Sequence, residues 1–352
     1  MGTGADEVPA GRLGDLLDLA RERGFDAVLT ISNEIPPLPG YHPTAVDRRA
    51  ADEVVLHHWS WTEVLCEAVA QKEHLGEADQ AWILGELIRY LEHPRSGTMA
   101  FEDMGPAWVA LRESVQAGTL RATDPTAAGA ALRFDALVRF ASLELGRRLG
   151  AEVTPALTRK ELAEPHARVA RQVDRLVVEG RLTAGVHIAG TVGALQVTAD
   201  LRAGRVSCHV DLDGPREGRP TTRVEWLVRQ LKDAPDTVRL EAFAAHGPGA
   251  GASQPLGTVR ADPTALVADP AKEIRGFRVA DSGPLGSGPG TGPDSFIASV
   301  SGAVTRFYED VVRNLKPWAA APPRIRPVEA FADGPGISSR TEATSGLPRS
   351  PG

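Results

Sequence analysis

Two clusters of side chains in this 352-residue chain have residue types that could do chemistry. In the first, His57 and His58 directly precede Trp59 and Ser60, an arrangement that invites a nucleophile or a metal ion. Successive residues on a strand point to opposite faces, so two adjacent imidazoles cannot share one ion. The plainer expectation puts one ring in the core and the other in solvent. Ser60 and Glu63 have the S-x-x-E spacing of a capping box, which accounts for the serine better than a nucleophile does. In the second cluster, Cys208-His209-x-Asp211 places His209 and Asp211 on one strand face, as two ligands of a zinc site would be. No CxxC, HxH or HExxH supplies the others. Asp211, Asp213 and Gly214 start like a calcium loop but lack its fifth-position ligand and twelfth-position Glu.

The glycine-rich run 286–292 resembles a phosphate cradle, but it has no Lys-Ser/Thr at Walker spacing and Pro289 lacks an N–H, so it reads as a linker loop. These patterns assign no catalytic residue, no metal ligand and no cofactor. The strongest positive cluster is Arg219, Arg223, Arg229 and Lys232, the candidate anion-binding set. Arg229 stands four residues after Glu225, the spacing of a helical ion pair. Arg223 falls in a first helical turn, where the dipole disfavours a cation; a solvated helix face is the plain alternative. Trp59, Trp61, Trp82, Trp108 and Trp226 stand beside aliphatics, so core or interface is expected over base stacking.

The elements that position these groups follow from periodicity. Residues 25–31 form a short apolar run with β-branched Val28, Thr30 and Ile31, and 54–58 form a second, both read as strands. Pro36, Pro37, Pro39, Gly40 and Pro43 make the segment between them a loop. An amphipathic helix over 11–23 precedes them and ends at Gly24, and another follows from Trp61. Helices are expected over 79–92, stopped by Pro94, over 106–115, over 127–149, in a short piece within 151–163, and over 165–179. Their apolar faces include Ile83, Leu87, Ile88, Leu91, Leu132, Leu137 and Leu145. The composition then changes. Residues 182–188, 193–201 and 205–211 alternate with period two, as half-buried antiparallel strands do. A helix over 221–232 capped by Thr221 or Thr222, strands over 237–244 and 274–279, a loop over 282–293 and a helix over 294–315 complete the second half. The segment 247–251 reads as a flexible loop, and from 318 the Pro/Ser/Gly-rich chain reads as a disordered tail.

The stretch 25–69, a Gly-Phe-Asp turn into a strand ending Ile-Ser-Asn and then a strand running into His-Trp-Ser-Trp-Thr-Glu, resembles the distal half of a restriction-endonuclease-like (PD-(D/E)XK) domain. More narrowly it resembles an actinobacterial group in which some members are named stress response protein. Segments 79–97 and 219–235 resemble the same group. The resemblance implies a nuclease-like fold, whose metal-binding Asp and Glu-x-Lys would lie on strands before the first helix. Residues 1–10 contain neither Glu-x-Lys nor Asp-x-Lys. The expectation is therefore a start codon set too far downstream or a degenerate, non-catalytic copy, with strands 25–31 and 54–58 forming an incomplete sheet that has an unprotected edge.

Length allows two domains. The expected division is a truncated nuclease-like α/β piece over 1–100, a helical segment over 101–180, an α+β antiparallel sheet domain over 181–317 and the tail over 318–352. The fold class is α+β. Two cysteines far apart argue against a disulfide framework and fit a reducing cytoplasm. No apolar run reaches the length of a membrane span, and the acidic first thirty residues do not resemble a secretory signal. The net charge of −7 is uneven: residues 1–150 hold 14 Lys/Arg against 23 Asp/Glu, a balance of −9. That disfavours broad phosphate binding by the first half. Three functions remain open: a non-catalytic cytoplasmic protein acting by binding, with a nucleic-acid or protein partner; a Mg²⁺-dependent nuclease whose catalytic strands are missing; and an interaction scaffold in a stress or defence module.

Overall fold

The computed structural model describes residues 9–38, 41–44, 54–72, 74–93, 95–98, 101–244 and 251–319. The chain divides into two units, through Trp318 and from Ala319, and every element described belongs to the first. Pro39, Gly40, Pro94, residues 1–8, most of the 247–251 loop and the tail beyond 319 lie outside the described residues.

Helix α1 (Ala10–Arg23) ends at Gly24, whose left-handed conformation (φ 70°) turns its N–H back to the carbonyls of Ala20 and Arg21. Strands β1 (Ala27–Ser32) and β2 (Val55–Ser60) follow, then α2 (Trp61–Lys72) and α3 (Ala78–Glu92). Among the described residues β1 and β2 form a two-stranded parallel sheet, with Leu29 opposite His57 and Ile31 opposite Trp59. One small cluster, Leu17, Ala20 and Val54 with Val28 and Leu56 against it, packs α1 on the inner side of this pair. The expected core face of α3 is largely uncovered: Leu91 is buried and Ile88 half-buried, whereas Trp82, Ile83 and Leu87 are exposed.

Helices α4 (Trp108–Gln116) and α5 (Pro125–Leu149) lead into the second half. Asp124 caps α5 by accepting from the Thr126 N–H at 2.9 Å, with Pro125 in the first turn. The piece expected to be helical within 151–163 splits into strand β3 (Val153–Pro155) and a short helix, α6 (Arg159–Ala163). β-Branched Val153 and Thr154 suit an edge strand, where Pro155 has no ladder bond to lose. Thr158 and Glu161 form a reciprocal capping box on α6. Then come α7 (Pro165–Glu179), β4 (Arg181–Ile188), β5 (Leu195–Asp200), β6 (Arg205–Asp213) and α8 (Pro220–Gln230). The remainder is β7 (Arg239–Ala244), β8 (Ala252–Pro255), α9 (Leu256–Ala261), β9 (Ile274–Pro284) and α10 (Phe296–Asp310).

Seven strands form one antiparallel sheet in the order β3-β4-β5-β6-β9-β7-β8, and the fold is α+β. Two differences from the sequence reading stand out. Strand β8 pairs with β7 although its four residues have no hydrophobic alternation, and β9 runs on to Pro284, so 282–284 belong to a strand rather than a loop. Both are decided by a neighbouring ladder, which residue pattern alone does not show. One face of the sheet is apolar: Leu182, Val197, Cys208, Val210, Leu240, Phe277 and Val279 are buried. They share a single core with α4, α5, α7, α8, α9 and α10 that reaches from Ile35 and Phe101 to Leu315. The helical segment 101–180 and the sheet 181–317 therefore have one core between them.

Candidate functional site

The most concentrated polar arrangement lies on the inner side of β1 and β2, at their C-terminal ends, where parallel strands commonly present ligands. Strand alternation turns Thr30, Ser32, His58 and Ser60 inward. The Thr30 hydroxyl is 2.8 Å from His42 Nε2 and 2.8 Å from His58 Nδ1, and the two rings meet edge-to-face at 5.1 Å. The Glu34 carbonyl fixes the proton position on His58. A carbonyl can only accept, so His58 Nε2–H donates to it at 3.0 Å. Neutral His58 then accepts at Nδ1 from the Thr30 hydroxyl. His42 Nδ1 faces both the N–H and the carbonyl of Thr44, at 3.0 and 3.1 Å. Burial, with the nearby His42 and Arg139, pushes the His58 pKa below its usual value against the pull of Glu34 and Glu63. The exposed neighbour His57 faces the other way, so the two adjacent histidines divide between interior and surface as strand geometry requires.

Ser60 is fully buried and forms the capping box its spacing predicts. Its Oγ donates to Glu63 Oε2 at 3.0 Å and accepts from the Glu63 N–H at 3.1 Å, while its own N–H donates to the same carboxylate at 2.8 Å. The other Glu63 oxygen pairs with Arg139 of α5. Arg139 also donates to the carbonyls of Pro36 (3.1 Å) and Leu38 (3.0 Å), tying the loop after β1 to the large core. Every polar group in this constellation serves an internal partner. It fixes structure, and Ser60, fully buried with its hydroxyl proton donated to the capping Glu63 carboxylate, is closed to a substrate. Glu34, the acid adjoining β1, donates its N–H to Ser32 Oγ at 3.1 Å.

The outer side of the same pair is chemically opposite. Leu29 (49% exposed), Ile31 (37%), Val55 (55%) and Trp59 (53%), with Phe25 (63%) just before the strand, make an uncovered, mainly apolar strip in which His57, opposite Leu29, is the polar member.

In the second half, Asp211 is held by Arg278 through two bonds, 2.7 and 2.8 Å, which depress its pKa. His209, two residues away, is pushed down by burial and by Arg278. The pair lies on the open sheet face with Asp211 already engaged. Among the described residues no group of three or more His, Cys, Asp or Glu could hold a metal ion. A cleft of about 400 Å³ opens where Gly276 leaves the sheet bare between Asp213 and Phe243, rimmed by Arg216 and Trp318. The glycine-rich run is neither a phosphate cradle nor a free linker. The N–H groups of Gly286, Ser287 and Gly288 are taken by Ser299 Oγ and the Asp294 carbonyl, and a Cβ at Gly286 would meet the Ser295 carbonyl at 2.2 Å. It folds tightly over the start of α10.

The four candidate anion-binding cations separate. Pro220, not a threonine cap, opens α8. Arg219, Arg229 and Lys232 are exposed, and the Glu225–Arg229 pair does not form. Arg223, 3% exposed, is corrected from surface cation to internal clip. It donates to the carbonyls of Gly218 (3.1 Å), Arg216 (3.1 Å) and Ile274 (2.7 Å), with Glu273 at 3.6 Å. Its odd place in the first turn is explained by these carbonyls and not by an outside anion.

Sequence reading missed Arg139 and the buried pair Arg168–Asp135, bonded at 2.7 and 2.8 Å between α7 and α5. Their signal was present: Asp135 and Arg139, four apart, interrupt the apolar stripe of α5. No family model, no curated protein and no solved structure matches this chain.

Proposed function

We propose that this chain is a non-catalytic protein that acts by binding, and that its contact surface is the outward face of β1 and β2. One observation carries the reading: a parallel strand pair, a geometry found with both faces covered, has an inner face closed by α1 and an outer face of uncovered Leu29, Ile31, Val55 and Trp59. Scattered exposed apolar residues are ordinary, but a contiguous strip of them marks an interaction site. The internally satisfied His42–Thr30–His58 and Ser60–Glu63–Arg139 sets support a structural role for the polar residues beneath. The proposal includes membership of the nuclease-like, stress- or defence-associated group that residues 25–69 resemble, as a member without metal-holding carboxylates, and a cytoplasmic location, which the free thiols of Cys66 and Cys208 support.

Hydrogen exchange on the dilute full chain tests it. Amides of β1 and β2 should exchange far faster than those of α5, because a face awaiting a partner opens locally at low cost. Exchange as slow as in α5 would mean the face is already closed and would refute the reading. A second reading, a nucleic-acid partner on α8, rests on exposed Arg219, Arg229 and Lys232. It requires binding that weakens steeply with salt and that disappears when all three are replaced by Glu in the full chain.

A further inference from the structure

We propose that the occupant of the outward face of β1 and β2 is a second copy of this chain, joined through a two-fold contact; this rests on the reading of that face as a contact surface. Three features of the strand pair carry it.

The first is the composition of the two strands. A fixed charge on the outward face would meet its own copy across a two-fold axis and oppose the contact. Neither Ala27–Ser32 nor Val55–Ser60 contains a Lys, Arg, Asp, Glu or Pro, and their register runs unbroken from Ala27–Val55 to Ser32–Ser60. The second is area. At 150–250 Å² per aromatic side chain, the exposed parts of Phe25, Leu29, Ile31, Val55 and Trp59 present roughly 500 Å² of apolar surface per copy. Two copies facing each other cover about 1,000 Å², the lower bound of a specific interface. Trp59, opposite Ile31 in the ladder, has the size and amphipathic character of an interface anchor.

The third is charge. The strip holds no Lys, Arg, Asp or Glu and one titratable side chain, His57 opposite Leu29, although the half of the chain that contains it has a balance of −9. A foreign partner selected by charge would need a charged strip or a basic surface of its own, whereas a two-fold contact needs only that the patch complement itself. Two acidic halves brought together repel at their margins, and salt screens that repulsion. The dimer therefore tightens as salt rises, opposite to a contact made by charge complementarity.

Sedimentation velocity on the full chain, from about 1 to about 100 µM at low and high salt, tests the proposal. Wild type should pass from monomer to dimer across this range, at lower concentration in high salt. Leu29→Glu and Trp59→Glu should each weaken the dimer at least about tenfold, with unchanged circular dichroism, while Val178→Glu, on the exposed face of α7, should not. A wild type that stays monomeric, or a dimer indifferent to both strand substitutions, overturns the proposal. Hydrogen exchange on the same samples separates the two failures. Fast exchange of β1 and β2 in a monomer removes the second copy and keeps the contact face, whereas slow exchange in a monomer removes the face as well.

Discussion

At the scale of single residues, the buried charges and imidazoles of this protein hold segments together. Arg168 and Asp135 are both buried and joined by two bonds. Arg168→Met alone strands a carboxylate in the core and should destabilise by about 3–5 kcal/mol in denaturant unfolding. Asp135→Leu/Arg168→Met should recover most of that loss, since the buried carboxylate is gone and Glu161, the other partner of Arg168, keeps Arg171 and Thr158. A double variant as unstable as the single one would show that the pair does more than satisfy itself. His58 provides a pH dependence with a definite sign. Its pKa is lowered in the folded state, so the unfolded chain binds the proton more readily. The contribution is complete above the ordinary imidazole value and is lost as pH falls below it toward the folded value. Thermal melts should therefore show a drop between pH 7.5 and 5.5 that is smaller in His58→Gln.

At the scale of elements, caps and clips decide where helices start. Ser60 and Glu63 begin α2 directly from the end of β2, and Ser60→Ala should cost about 1 kcal/mol, the usual value of an N-cap. On α8, two arginines six residues apart should differ sharply. Arg223→Ala leaves the carbonyls of Gly218, Arg216 and Ile274 without their donor and should destabilise by about 1–3 kcal/mol. Arg229→Ala, on the exposed side, should stay within about 0.5 kcal/mol. Equal effects in a denaturant titration would contradict the assignment of Arg223 as a clip.

At the scale of the whole molecule, one core joins the helical segment to the sheet, while among the described residues the apolar side chains of the strand pair pack in a small separate cluster with α1. A fragment of residues 181–319 should lack a cooperative melt, because Leu182, Val186 and Val197 would lose α5 and α7. A sharp transition in that fragment would show the sheet to be self-sufficient. The purified full chain should show no Mg²⁺- or Mn²⁺-dependent cleavage of DNA or RNA, since holding a metal and its water takes several clustered carboxylates and none cluster among the described residues. Cleavage abolished by Glu34→Gln would reverse that conclusion.

Much of the architecture was legible in the amino-acid order because it depends on local periodicity and capping. Gly24, Gly150 and Gly180 mark helix ends, Ser60 and Glu63 mark a beginning, and the period-two runs of β4 to β6 announce a sheet with one wet face. The opposite facing of His57 and His58 followed from strand geometry alone. Long-range pairing decided the rest. Strand β8 exists because β7 offers it a ladder, and β3 because β4 does. Arg223 turns inward because the Ile274 carbonyl lies 2.7 Å from its guanidinium, a distance set across 51 residues of chain. The apolar residues of β1, β2 and α3 read as core in the sequence, since hydrophobicity states only a preference for burial. Only the tertiary structure shows which of these faces the rest of the chain reaches, and it leaves Trp59 and Trp82 uncovered.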